Sequence, residues 1–136
     1  MEAYGIAVAG LLLICMIPLV LANIVGPMKG AAGLVGGPVA GAGDENLIFR
    51  LDRAHENSVE SIVPFAIAAV LGMLVGVGPT TLTALVWAFL AIRVLYALVY
   101  ARGGPLGKGG SLRTIVHVLG SLATVALIII VGMAAV

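Results

Sequence analysis

At 136 residues, 62% hydrophobic and 10% charged, with a mean hydropathy of +1.23, the chain has the length of one domain and is too apolar for a water-soluble one. Its formal net charge of +1 gives no reason to expect nucleic acid as a partner. Its single cysteine excludes an internal disulfide framework or a cysteine-based metal site. Four apolar blocks, at about 3–25, 47–77, 79–101 and 112–136, are each long enough to cross a bilayer as a helix, which takes about 20 residues. Lipid forces backbone groups to bond within a segment, and no period-two alternation points to a barrel. The sequence therefore predicts one domain over 1–136, an all-α integral membrane protein built as a bundle of four transmembrane helices.

The first block has no basic flank, only Glu2, and reads as a retained helix instead of a cleaved signal. Pro18 marks a kink in it. Cys15 has nothing nearby to stabilise a thiolate and reads as a small buried or lipid-facing side chain. Residues 26–43, GPMKGAAGLVGGPVAGAG, lack the order of a phosphate-binding loop and follow no strand, so they read as a surface connector. The second block, as a helix rising about 1.5 Å per residue, spans roughly 46 Å. That exceeds the hydrocarbon core, so its charged first turns stand in the interface. Ala68, Gly72 and Gly76 follow at a spacing that suits close helix packing. GVGPTT, residues 76–81, is a short turn and makes the second and third helices antiparallel neighbours. A polar connector, ARGGPLGKGGSLR, leads into the fourth helix.

In this topology Lys29, Arg50, Arg53, Arg102, Lys108 and Arg113 fall on one side, and Arg93 points toward it. The other side carries no Lys or Arg. The positive-inside rule then puts both termini outside the cytoplasm.

The ionisable residues are concentrated in FRLDRAHENSVESIVPF, residues 49–65. On a helical wheel Arg50, Arg53, Asn57, Glu60 and Pro64 fall within an arc of roughly 80°, so a polar seam runs inward along one face. Arg93, Tyr96 and Tyr100 share a face of the third helix. Arg93 lies some 13 Å inside the helix end, where an unpaired charge costs about 3 kcal/mol. It should face the bundle and find a partner. A turn centred near residue 78 sets Glu60 opposite Tyr96, within one turn of Arg93, so a Glu60–Arg93 ion pair is expected. Arg113 and His117 open the fourth helix on one face. The three seams converge on guanidinium groups, a carboxylate, an amide and two phenols, an inventory that suits a polar anionic molecule beside an apolar wall. The same seam also suits an interhelical salt-bridge network with no ligand, and Tyr96 and Tyr100 also suit interfacial anchoring. Trp87 reads as a packing or anchoring residue. His55 and Glu56 read as surface groups; no H-E-x-x-H is present and no metal is expected.

RLDRAHENSVESIVPF resembles the helix-two signature of the MAPEG family, the membrane-associated proteins of eicosanoid and glutathione metabolism. Arg50, Arg53, Ala54, His55, Asn57, Glu60, Pro64 and Phe65 match it in order. RVLYALVYAR, with Arg93, Tyr96, Tyr100 and Arg102, resembles the helix-three pattern, and SLRTIVH resembles the start of helix four. The likeness covers about residues 46–121. It implies a homotrimer of four-helix protomers in the bilayer of a bacterial inner membrane. Glutathione would be the co-substrate, bound between adjacent protomers near the cytoplasmic face, and a lipophilic small molecule would arrive from the lipid. Carried over, Arg50, Arg53, Asn57, Glu60, Arg93, Tyr96, Tyr100 and His117 form the binding set. Glu60 would meet the ammonium group and the arginines the carboxylates. Arg113, with Tyr100, would do the chemistry by holding the thiol as thiolate. Three features depart from relatives: Glu56 stands where some carry a basic residue, helix one has only Lys29 at its end, and the 100–113 loop is longer. The implied function is a membrane glutathione (or similar thiol) transferase or peroxidase acting on lipophilic electrophiles or lipid hydroperoxides. The competing reading is a non-catalytic lipid-binding or scaffold protein of the same build. A small multidrug transporter would need a carboxylate within helix one, and residues 3–25 have none.

Overall fold

The structure, a computed structural model, describes residues 2–34, 37, 39, 43–103 and 111–136. Lys108, much of the 100–113 connector and part of the glycine-rich stretch lie outside them. A short 3-10 turn at Glu2–Tyr4 leads into α1 (Gly5–Ala31), followed by α2 (Leu47–Leu74), α3 (Pro79–Arg102) and α4 (Ser111–Ala134). All four helices are long and apolar enough to cross a membrane, and no strand occurs among the described residues.

The helix ends follow local chemistry. α1 does not stop near Val25: it passes through Pro18 and Pro27 to Ala31. Its last carbonyls are still satisfied, with Ala32 N–H reaching Met28 and Lys29, and Gly33 N–H reaching Gly30. The glycine-rich sequence therefore begins as helix. α2 opens on Asn46, whose side-chain oxygen accepts from the N–H groups of Ile48 and Phe49, a cap that satisfies otherwise orphaned donors. It ends at Leu74, three residues before the expected Val77, in a tight reversal. Val77 N–H reaches back to Gly72 C=O at 2.9 Å, with Gly76 at φ +82°. That left-handed position favours glycine, so Gly76 makes the turn and leaves close packing to the buried Ala68 and Gly72. Pro79 then starts α3, where a missing N–H costs nothing.

The core fills the half of the bundle around this turn. Phe65 and Phe89 stack with centroids 3.8 Å apart and planes 3° from parallel. Ile14, Ile62, Leu82, Val86 and Leu127 surround them, all buried. Tyr4 Oη donates to the Val77 carbonyl at 2.7 Å, and Trp87 Nε1 to the Ile6 carbonyl at 3.1 Å. The start of α1 is thereby tied to the α2–α3 turn. Leu12, Ile67, Leu98 and Leu122 point outward and are more than half exposed, which fits faces solvated by lipid.

Candidate functional site

The charged groups gather at the opposite end of the bundle. Arg50, near the start of α2, bridges to the end of α3. Its Nε donates to the Tyr100 carbonyl at 3.0 Å and its Nη2 to the Ala101 carbonyl at 3.3 Å. Its Nη1 donates to the Asp44 carbonyl at 2.7 Å. Helix C-termini leave carbonyls unbonded, and a basic side chain is a natural cap for them. Gly103 makes room for it: φ is +61°, and a Cβ there would fall 2.7 Å from the Arg50 guanidinium. All of these acceptors belong to the protein backbone, so Arg50 stands at the rim as a clamp.

On the α1 side Lys29 meets Asp52 at 3.0 Å. The other oxygen of Asp52 accepts from Val39 N–H at 2.9 Å, and Lys29 also donates to the Gly37 carbonyl. Asp52 is buried, and it pins the glycine-rich connector onto α2. A cleft of about 260 Å³ lies beside this pair and includes His55.

Another cleft, of about 220 Å³, lies between α2, α3 and α4. From α2 come Arg53 and Asn57, from α3 Tyr96 and Tyr100, and from α4 Arg113, Thr114 and His117. The aromatic groups touch one another: Tyr96 and Tyr100 have centroids 4.8 Å apart, and Tyr96 and His117 6.1 Å. The Arg113 guanidinium carbon sits 4.3 Å from the centre of the Tyr100 ring, a cation–π geometry. Arg113 Nη1 donates to Asp44 Oδ1 at 2.8 Å. Its Nε and Nη2 are buried and have no partner among the described residues. Arg53 Nη1 donates to Glu56 Oε2 at 2.9 Å, and Asn57 donates to the Arg53 carbonyl.

A further cleft, of about 290 Å³, continues along α2 and α4 and shares His117 with the α2–α3–α4 cleft. Glu60, Ser61 and Ser121 line it. Of the expected set, then, Arg53, Asn57, Tyr96, Tyr100, Arg113 and His117 meet in one cleft, and Glu60 lies in the adjoining one.

The expected Glu60–Arg93 ion pair does not form within the protomer. Glu60 is exposed and Arg93 is fully buried. Arg93 Nη2 donates to Ser58 Oγ at 3.2 Å, Ser58 donates onward to the Ala54 carbonyl at 2.7 Å, and the Arg93 guanidinium packs on Tyr96 at 4.5 Å. The reason is the face of α2, not depth. Ser58, two residues before Glu60 and so about 200° round the helix, is buried toward α3, while Glu60 points out of the protomer. Arg93 therefore supports the floor of the cleft beneath Tyr96. Sequence reasoning also missed Asp44 and Thr114. Thr114 follows Arg113, so its place was readable from the helix start; Asp44 lies beyond the glycine-rich connector, and no periodicity could set it against α4.

A family model described as the MAPEG family matches residues 5–133, nearly the whole chain. No curated protein and no solved structure matches it.

Proposed function

The chain belongs to the MAPEG family, and on that premise we propose that the α2–α3–α4 cleft holds glutathione, or a similar small anionic thiol, for transfer to a lipophilic electrophile or reduction of a lipid hydroperoxide. Membership supports a glutathione-related role in the membrane at the level of the family. One observation carries the finer reading: Arg113 keeps two buried nitrogens without a partner among the described residues, beside a cleft lined by phenols and a second arginine. Buried donors are seldom left unpaired, and a guanidinium edge suits carboxylate or thiolate. A fixed cation favours the ionised thiol, which is the nucleophile. Tyr100, stacked under that guanidinium, brings a phenolic hydroxyl to the same place.

The other roles follow from position. Arg53, Asn57, Tyr96 and His117 line the thiol's cleft; Glu60, one cleft further, would take an ammonium group. Arg93 fixes Tyr96 from below, and Arg50 fixes the end of α3. In the hydroperoxide branch two thiols would give a disulfide while the peroxide becomes an alcohol and water. The assembly would be a homotrimer in a bacterial inner membrane, its basic end cytoplasmic and both termini outside. Lys29, Arg50, Arg53, Arg102 and Arg113 at one end of the bundle support that orientation.

Calorimetry of glutathione with the purified protein in detergent tests the reading. Saturable binding is expected in the wild type and its loss in Arg53→Ala/Glu60→Ala. Absence of binding at millimolar glutathione would sink the glutathione reading. The non-catalytic alternative is favoured by one contact, Glu56 on Arg53, because an internal carboxylate already occupies a guanidinium meant for the ligand.

A further inference from the structure

Arg113 is oriented by a group outside the set just described. Its Nη1 is held by Asp44 at 2.8 Å, and Asp44 is itself held by its backbone carbonyl on Arg50 Nη1 at 2.7 Å. Arg50 is anchored in turn on the carbonyls of Tyr100 and Ala101. The chain of contacts closes on the Tyr100 ring, over which the Arg113 guanidinium lies. A planar fork gripped at one end and stacked on one face has one edge left, and that edge, Nε with Nη2, is buried and unpartnered among the described residues. It is the edge that binds an anion through two parallel N–H groups.

We propose that Asp44 is a positioning residue: clamped by Arg50, it holds Nη1 of Arg113 so that the Nε–Nη2 edge is presented to the anionic sulfur of the bound thiol. The proposal rests on the thiol-binding reading above. Asp44 acts in two ways that can be separated. Its oxygen fixes the geometry of Arg113, and its negative charge offsets part of the guanidinium's pull on the thiolate. The other charged and titratable groups of this cleft are Arg53 from α2, Tyr96 and Tyr100 from α3, and His117 from α4; just outside it, Glu56 sits on Arg53 and Arg50 on the Asp44 carbonyl.

Asp44→Asn keeps an acceptor and removes the charge; Asp44→Ala removes both. In Asp44→Asn the bound thiol should ionise more readily, with the acid limb of the thiol-dependent pH–rate profile moving down by roughly half a unit to one unit. In Asp44→Ala kcat/KM for the thiol should fall roughly ten-fold, as when an oriented hydrogen-bonding group is lost. A third measurement needs no thiol: the Arg113 Nε–H resonance, assigned with Arg113→Lys, should be protected from exchange in the wild type and lose that protection in Asp44→Ala. Unchanged protection in Asp44→Ala overturns the proposal whatever the thiol does. A wild type that binds no glutathione, but loses protection in Asp44→Ala, overturns the thiol reading and leaves Asp44's hold on Arg113 standing. Thiol turnover with the same pH profile in Asp44→Asn and the same kcat/KM in Asp44→Ala overturns the proposal alone.

Discussion

The two ends of the bundle are held together by different physics. Around the α2–α3 turn, shape does the holding: a parallel Phe65–Phe89 stack, buried aliphatics on all four helices, and glycine where the chain reverses at Gly76 or helices touch at Gly10 and Gly72. At the other end, directed contacts do it: Arg50 on three carbonyls, Lys29 on Asp52, and Arg113 on Asp44. In lipid the first kind of contact stabilises by packing, since tails are as apolar as leucine. The second kind fixes direction, and it leaves the cleft open where shape-filling would have closed it. Stability should therefore depend on the apolar end and ligand chemistry on the polar end, with Arg50 belonging to both.

The largest effect expected is at the apolar end. Phe65→Ala removes a fully buried ring and should cost about 3–5 kcal/mol, seen as a lowered thermal midpoint in detergent. The folded fraction should bind glutathione as the wild type does. Loss of affinity out of proportion to loss of fold would show that the two ends are coupled, and the division above would fail. The mirror experiment is Arg113→Ala. Thiol-dependent kcat/KM should drop by about 10²-fold or more, as when an oriented transition-state donor is removed, while the thermal midpoint stays close to wild type.

Arg50→Ala should blur the comparison. It deletes three charge-assisted contacts and should lower stability by about 1.5–3 kcal/mol. It also frees the Asp44 carbonyl, so turnover should fall as well. A stability loss without any change in turnover would mean that Arg50 caps α3 and does nothing for the cleft.

The same division explains what could be read from the sequence. Four helices follow from four long apolar blocks, because a membrane leaves the backbone few choices. Asn46 and Gly76 carry end signals at α2, but a Gly-Pro pair at 26–27 conceals six more helical residues of α1 (Gly26–Ala31). The polar seams were legible because charge inside an apolar helix stands out. Partnership was not: Ser58, on the face of α2 away from Glu60, is the residue turned toward Arg93. Depth along two antiparallel helices does not make a pair unless both side chains also face the same seam. Asp44 was beyond reach for a related reason. It meets Arg113 across 69 positions of chain, and only tertiary structure relates them.

The smallest expected effect separates the two functional readings. The Arg53–Glu56 pair joins adjacent turns of one helix, with about half of the arginine side chain exposed. Such a pair contributes only about 0.2–0.5 kcal/mol, so Glu56→Gln should leave the thermal midpoint almost unmoved. Its effect on binding depends on what Arg53 is for. If Arg53 receives a ligand carboxylate, Glu56 competes with that ligand, and neutralising it should tighten glutathione binding roughly three-fold, about 0.6 kcal/mol. The gain should shrink as salt rises, since both groups are near solvent. If affinity and its salt dependence are unchanged, Arg53 is committed to its own helix. The seam would then hold the bundle together more than it holds a ligand, and the non-catalytic reading would gain at the expense of the transferase.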